Sequence, residues 1–306
     1  MKAVLIINPA AGNGRTGRCR RRLEKQIRCG MGLPFDPILT ERPGHATEIV
    51  RDRILRGAEM MVSVGGDGTH HEVLNGFFQE GELINPKACM ATITVGTGGD
   101  FIKTLGWEKT VDFALRRIAA RRVRPLDVGL VECLGPDGKA CRRYFMNMAD
   151  FGAGGVVVRR VNGTSKILGG RMSFLWGIVS TLVTYKNRSI TYTVDDQTEH
   201  TAILNNVIIG NGRYYGGGIR AAPHARLDDG FLDVVFIGDV GFTEALANLH
   251  RFRKGTHLNH PKISWMPVRV IEARSQDPVY INMDGECTGT LPARFHILPK
   301  KILFVV

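Results

Sequence analysis

Residues Met60–Phe78 read MMVSVGGDGTHHEVLNGFF. Met60 to Val64 is a short apolar run of strand-forming character, and Val73, Leu74, Phe77 and Phe78 then recur at helical spacing. Gly65-Gly66-Asp67-Gly68-Thr69 therefore falls on a strand-to-helix turn. Glycine lets the backbone take positive φ and brings its N–H groups close to a ligand, while the helix that follows presents unpaired N–H donors and the positive end of its dipole. Such a turn suits a phosphate. Asp67 would repel a bare phosphate, so its place in the loop makes chemical sense when a Mg²⁺ ion, a polarised hydroxyl or a water lies between the two. A tight turn capped by Asp67 or Thr69 would explain one glycine loop in isolation, so the surrounding chain decides.

The first third alternates strand and helix signals. KAVLIINP precedes a basic helix near Arg18 to Cys29; FDPILT precedes a helix through His45 to Arg56; Met60 to Val64 precedes the helix after Thr69; and ACMATITV precedes a helix through Val111 to Ala120. This alternation implies βαβ units and a parallel sheet, whose ligands bind at the carboxyl ends of the strands. Glycine turns fall at three of those ends: Asn8 to Gly14, Gly65 to Thr69, and Gly96 to Asp100. After Arg121-Arg122-Val123-Arg124-Pro125 the character changes to short β-rich runs such as PLDVGLVECL, TAILNNVIIGN, FLDVVFIG and PVYINMDGE, with helices expected near Gly169 to Tyr185 and Thr243 to His250. Many short strands separated by turns predict a sandwich. The expected fold class is α/β: a nucleotide-binding domain over residues 1–124, then a β-sandwich-like domain over 125–306 whose C-terminal segment is free to return to the first.

The 306 residues, 43% hydrophobic, suffice for a full core, and Lys plus Arg outnumber Asp plus Glu by 41 to 29 for a net charge of +12. Arginine clusters at 20–22, 116–117, 121–122 and 142–143 would attract anionic partners: nucleotides, nucleic acid or acidic lipid headgroups. The six cysteines show no CxxC and no regular spacing, against a zinc site or disulfide framework and in favour of free thiols in a reducing compartment. Ala3 to Ile7 is too short for the apolar region of a signal peptide, and the longest apolar stretch, FLWGIVSTLV from Phe174 to Val183, reaches only about half the length of a spanning helix. A cytoplasmic protein, at most peripheral to a membrane, is expected. The Phe174–Val183 stretch reads either as the lining of an acyl-chain cleft or as an ordinary buried helix.

Two standard nucleotide signatures fail. GNGRTGRC, Gly12 to Cys19, has the glycine gap of a P-loop but Arg18-Cys19 in place of Lys-Ser or Lys-Thr, and Gly66-Asp67-Gly68 is followed by His71 where a dinucleotide fingerprint needs glycine. What fits instead is an ordered set of seven elements: INPAAGNG, Thr40 in ILTERPGHA, GGDGTHHE, GTGGDF, NMADFGAGG, GNGRYYGGGIRAAPHARLDDGFLDV and NMDGE. Over nearly its whole length the sequence resembles the diacylglycerol kinase catalytic-domain family, in its bacterial lipid-kinase branch. The resemblance implies a nucleotide-binding domain like those of 6-phosphofructokinases and NAD kinases, followed by a β-sandwich that helps bind lipid.

It also implies a set of site residues. Thr40, Gly66, Asp67, Gly68, Thr69, His70, His71, Glu72 and Thr97 would contact ATP, with Asp67 acting through Mg²⁺ at the β and γ phosphates. Glu286 matches the general base toward the acceptor hydroxyl, and a carboxylate suits that role because an aliphatic hydroxyl loses its proton as the phosphoryl group arrives. A second Mg²⁺ would be held by Asp229 with the backbone of Arg226 and Phe231, hard oxygen ligands in an Asp-Gly turn. Two positions depart from the family pattern: His71 and Gly99 each stand where asparagine is usual.

The function expected is ATP-dependent phosphorylation of a lipid hydroxyl, most simply diacylglycerol to phosphatidic acid, on an acceptor presented at an anionic membrane surface. A soluble NAD-kinase-like enzyme is the alternative, since that family shares the Gly-Gly-Asp-Gly-Thr loop. A non-catalytic nucleotide- or nucleic-acid-binding protein would explain the charge but leave Glu286 to chance, and no nucleic-acid-binding pattern accompanies it. No nucleic-acid partner is expected, and a homodimer stays open.

Overall fold

The computed structural model describes residues 3–96, 98–163, 177, 180, 181 and 183–306. The chain divides into two compact units: Met1–Asp127 with Lys300–Val306, and Val128–Pro299. The division falls at Asp127, against an expected boundary at Arg124, and the last residues return to the first unit.

In the first unit, β1 (Ala3–Ile7), α1 (Arg15–Arg18), α2 (Arg20–Met31), β2 (Phe35–Leu39), α3 (His45–Leu55), β3 (Met60–Gly65) and α4 (Asp67–Gly76) follow one another. A small hairpin, β4 (Phe78–Gln79) and β5 (Glu82–Leu83), precedes β6 (Cys89–Thr94), α5 (Asp100–Thr104) and α6 (Val111–Ala120). The strands order as β2-β1-β3-β6, all parallel, and Leu303–Phe304 add a further parallel strand beside β6. Every residue of β1, β3 and β6 is buried, as parallel strands covered on both faces require. Alternate residues Ala3, Leu5 and Ile7 pack with Leu23, Ile27 and Met31 of α2 and with Leu115 and Ile118 of α6. The chain leaves β1 to one side for β2 and comes back to the other side for β3. That reversal is a topological switch point, and it puts a crevice beyond the carboxyl ends of β1 and β3.

The second unit is antiparallel. β7 (Val123–Leu134) enters it and pairs with β8 (Ala140–Phe145). β9 (Met148–Gly152) leads into α7 (Ala153–Gly163), then come β10 (Arg188–Val194), β11 (His200–Leu204), β12 (Asn206–Gly210), β13 (Leu232–Ile237), α8 (Phe242–Lys254), β14 (Ile263–Val268), β15 (Val270–Arg274), β16 (Tyr280–Met283) and β17 (Glu286–Val305). One run of strands is β14-β13-β12-β9-β16-β17, and β11-β10-β15 joins β17 through β15. Side chains from both runs, among them Phe151, Val207, Val234, Ile271, Ile281 and Phe295, pool into one core, which makes the unit sandwich-like. The period-two alternation is clean: Val207 and Ile209 face that core, whereas Ile208, Val235 and Ile237 face a second cluster with Ala221, Ala222 and Ala245.

The helix expected near Thr243 to His250 is α8, and most of the one expected over Gly169 to Tyr185 lies outside the described residues. Helix α7 was not expected, because Gly-Ala-Gly-Gly reads as loop and the following valines as strand. Its glycines serve contact: a Cβ on Gly154 would overlap the carboxylate of Asp150, and one on Gly155 the carbonyl of Tyr280.

Candidate active site

At the switch point, the loops after β1, β3 and β6 interlock. Asn8 donates its backbone N–H to the Val64 carbonyl at 3.0 Å and its Nδ2 to Thr69 Oγ1 at 3.0 Å, joining the first loop to the second. A Cβ on Gly65 would overlap the Thr69 side chain, and one on Gly96 would sit 2.7 Å from the Cα of Gly66. Neither position has room for a side chain, because Gly65 lies against the Thr69 side chain and Gly96 against the Gly66 backbone.

Asp67 opens α4 and ties the second loop to the third. Its Oδ2 accepts the N–H of Gly99 at 2.7 Å, and a Cβ on Gly98 would overlap that same oxygen. Gly99 has φ +83, a left-handed conformation open to glycine and asparagine, so the departure at this position keeps the backbone geometry while its N–H makes the contact. The other oxygen, Asp67 Oδ1, is buried with no hydrogen-bond partner. A carboxylate oxygen in that state is costly unless a cation or a ligand donor meets it, and a hard oxygen beside a helix N-terminus and two glycine loops fits Mg²⁺ on a polyphosphate.

The other residues expected at the nucleotide divide. Thr40 is buried where β2 ends, its N–H bonded to the Ile7 carbonyl at 2.9 Å. Glu72 turns to α3, accepting the N–H of Ala46 on Oε2 at 3.2 Å. His70 is an interior strut: Nδ1 meets Ser63 Oγ at 2.7 Å and Nε2 meets Thr94 Oγ1 at 3.0 Å, linking β3, α4 and β6 beneath the loop. With both ring nitrogens engaged, residue 70 supports the loop from behind. His71 is also buried, 3.4 Å from the Asn75 amide. Thr97 lies outside the described residues. Sequence reasoning missed Lys109, whose Nζ donates to the Gly98 carbonyl at 2.9 Å and brings a cation to the third loop; an isolated lysine in GWEKT carries no pattern that would have flagged it.

Residues 2–131 match the diacylglycerol kinase catalytic domain, and residues 147–306 match the YegS C-terminal NAD kinase beta sandwich-like domain. The chain belongs to the family that joins a diacylglycerol kinase catalytic domain to a YegS C-terminal domain. A diacylglycerol kinase of Staphylococcus carnosus is 26% identical over 304 residues, covering 98% of this chain and 94% of that protein. A diacylglycerol kinase of Bacillus subtilis is 25% identical over 269 residues, covering 86% of this chain and 82% of that protein. A crystal structure of a diacylglycerol kinase from Bacillus anthracis superposes with a TM-score of 0.71 at 20% identity, covering 99% of this chain and 96% of that one. Membership of a kinase family implies use of ATP.

The remaining residues expected to take part lie in the second unit. Met283 pairs with Glu286, so Asp284-Gly285 is a two-residue hairpin loop with φ +47 and +94, the conformation Asp-Gly favours. Asp284 is locked to β9: its Oδ1 accepts the N–H of Met148 at 2.9 Å and its own N–H reaches the Met148 carbonyl at 2.9 Å. Glu286 leaves this turn exposed to solvent.

In the other turn, Asp229 Oδ1 accepts the N–H of Phe231 at 3.1 Å, and the guanidinium of Arg226 lies 4.0 Å from Asp228, leaving the Arg226 carbonyl as its only fitting ligand. Burial first, and then the charge of Asp229, push Asp233 up to about 6. Among the described residues no three His, Cys, Asp or Glu side chains come together so as to hold a metal ion. A cation at Asp229 would therefore depend on backbone carbonyls, the hard-oxygen donors Mg²⁺ takes.

The second unit also holds a partly open, mainly apolar pocket of about 120 Å³ lined by Ala153, Val157, Ile237, Val240, Phe252 and Ile263, among others. Thr181, from the FLWGIVSTLV stretch, reaches it with a buried hydroxyl that has no hydrogen-bond partner.

Proposed function

We propose that this kinase transfers the γ-phosphoryl group of ATP to the hydroxyl of a lipid, most simply diacylglycerol, giving phosphatidic acid and ADP. The observation that carries the reading is Asp67, held on one oxygen by Gly99 and left without a partner on the other, between glycine loops that leave no room for a side chain at Gly65, Gly96 and Gly98. Backbone N–H groups of the loops and the α4 N-terminus would cradle the phosphates, and Lys109 would balance their charge. Mg²⁺ bound at Asp67 would neutralise charge on the β and γ oxygens. Glu286 would accept the acceptor's hydroxyl proton as its oxygen bonds to the γ phosphorus and the bond to the β-phosphate oxygen breaks. Two observations favour a lipid: relatives along nearly the whole chain are named diacylglycerol kinase, and the second unit holds a mainly apolar pocket with an unmet hydroxyl at its wall.

Incubation with γ-labelled ATP and a panel of diacylglycerol, phosphatidylglycerol, sphingosine, NAD and an oligonucleotide tests this reading. Label is expected in a lipid. Label in NAD alone would move the enzyme to soluble acceptors, and label in none would leave nucleotide binding without transfer.

A further inference from the structure

Asp150 lies in β9, is completely buried, and takes no part in the chemistry above. It stands opposite Asn282 in the antiparallel pairing of β9 with β16. Asn282 Nδ2 donates to Asp150 Oδ2 at 2.6 Å, and Asn282 Oδ1 accepts the N–H of Gly285 at 3.1 Å. One amide thus spans a buried carboxylate and the turn that delivers Glu286. An asparagine amide has a donor end and an acceptor end, so a carboxylate that takes the donor end leaves the oxygen aimed at Gly285. A charged acceptor holds that orientation more firmly than a neutral one.

The surroundings make the charge of Asp150 adjustable. Its Oδ1 has no hydrogen-bond partner, and Gly154 packs so closely that a Cβ there would overlap it. Burial pushes its carboxyl up to about 7, opposed by the amides of Asn282 and Asn206. Two phenols feel its charge from neighbouring segments, Tyr185 and Tyr215; burial pushes both above the ordinary tyrosine range, so both are neutral where Asp150 titrates. Arg188 and Asp277 act on Tyr185 with opposite sign.

We propose that Asp150, acting through Asn282, is the positioning residue for the Asp284-Gly285-Glu286 turn, and that its ionised carboxylate is the form that holds Glu286 ready. The catalytic half of this inference rests on the proposed kinase reading; the effect on the turn does not.

The test uses Asp150→Asn, which keeps size and loses the charge, with two readouts on the full chain. The first is hydrogen exchange of the 284–287 amides in the unliganded protein, corrected for intrinsic rates, from about pH 6 to about pH 8.5 to bracket the titration of a buried carboxyl. Wild type is expected to lose Gly285 protection as pH falls, and Asp150→Asn to show low protection throughout. The second readout is the pH profile of turnover. The variant is expected to lose about tenfold in kcat at the alkaline end, as when a charged hydrogen bond becomes neutral, to keep the KM for ATP, and to lose the inflection near neutrality. Equal, pH-independent protection in both proteins would overturn the proposal. Altered protection with unchanged kcat would overturn its catalytic half. Altered protection in a protein that phosphorylates no lipid would sink the kinase reading and leave the positioning role standing. If the variant fails to fold, the pH dependence of Gly285 protection in wild type decides alone.

Discussion

At Asp67 two demands meet on one side chain: Oδ2 is fixed by Gly99 while Oδ1 is buried and unmet. Asp67→Asn can keep the first contact but cannot hold a metal against phosphate, so turnover is expected to fall at least about 100-fold with little change in melting temperature. Near wild-type turnover in a folded variant would remove Asp67 from the centre of the reaction. Glu286→Gln keeps reach but cannot accept a proton, and is expected to cost about 10²- to 10⁴-fold in kcat with ATP affinity unchanged; weakened ATP binding with normal turnover would contradict its assignment as base. Asp150 supplies a prediction about stability. Burial pushes its carboxyl up to about 7 in the folded chain, against 3.8 for an ordinary aspartate, so between those pH values the native state binds more protons than the unfolded one. Stability from this group is therefore complete below about pH 4, falls as pH rises, and is gone above about 7, an effect of up to about 4 kcal/mol. Urea unfolding of wild type and Asp150→Asn at both ends of that window should show the variant gaining on wild type as pH rises. A constant difference would mean that Asp150 is ionised throughout.

Elements differ in how plainly the sequence announces them. β1, β3 and β6 are legible as apolar runs because both faces of a parallel strand are buried, and α6 because its periodicity and Thr110 cap leave no alternative. α7 is hidden because its glycines answer to Asp150 and Tyr280, which are distant in sequence and set by tertiary packing. The candidate site divides the same way. The glycine loops and Asp67 are local and could be read, while Lys109 and the Ser63–His70–Thr94 strut exist only once β3, α4 and β6 are side by side. Loop interlock is itself testable. Gly98→Ala puts a methyl onto Asp67 Oδ2 and must displace the third loop, with an expected loss of at least about tenfold in ATP affinity and about 1–3 kcal/mol in stability. Gly241→Ala is the control, since Gly241 has φ −83 and open space where the Cβ would go. Calorimetric titration with ATP beside thermal melting separates the two effects, and equal affinity in both variants would show that the loops do not form the nucleotide site.

At the scale of the whole molecule, the proposed lipid acceptor calls for a way to reach a bilayer. Among the described residues no helix is long and apolar enough to cross a membrane, and the net charge is +12. We propose that the enzyme docks on anionic bilayers through its basic residues, each worth about 1 kcal/mol near such a surface. Not every arginine counts equally. Arg20 and Arg142 are paired with Glu24 and Glu132, and Arg117 lies over the rings of Trp107 and Phe113, which leaves exposed positions such as Arg21 and Arg22 on α2 as better contributors. Because salt screens such attraction over about 8 Å at physiological ionic strength, vesicle binding should rise with phosphatidylglycerol content and fall with added salt. Replacing both Arg21 and Arg22 by glutamate changes the charge by four, and should weaken binding to anionic vesicles about 10²-fold or more while leaving turnover of a detergent-dispersed short-chain acceptor near wild type. Co-sedimentation across lipid compositions and salt concentrations measures the first quantity and a coupled assay the second. Binding that ignored both lipid charge and salt would assign the basic surface to some other partner, and a variant that lost turnover in detergent would place α2 in the reaction itself.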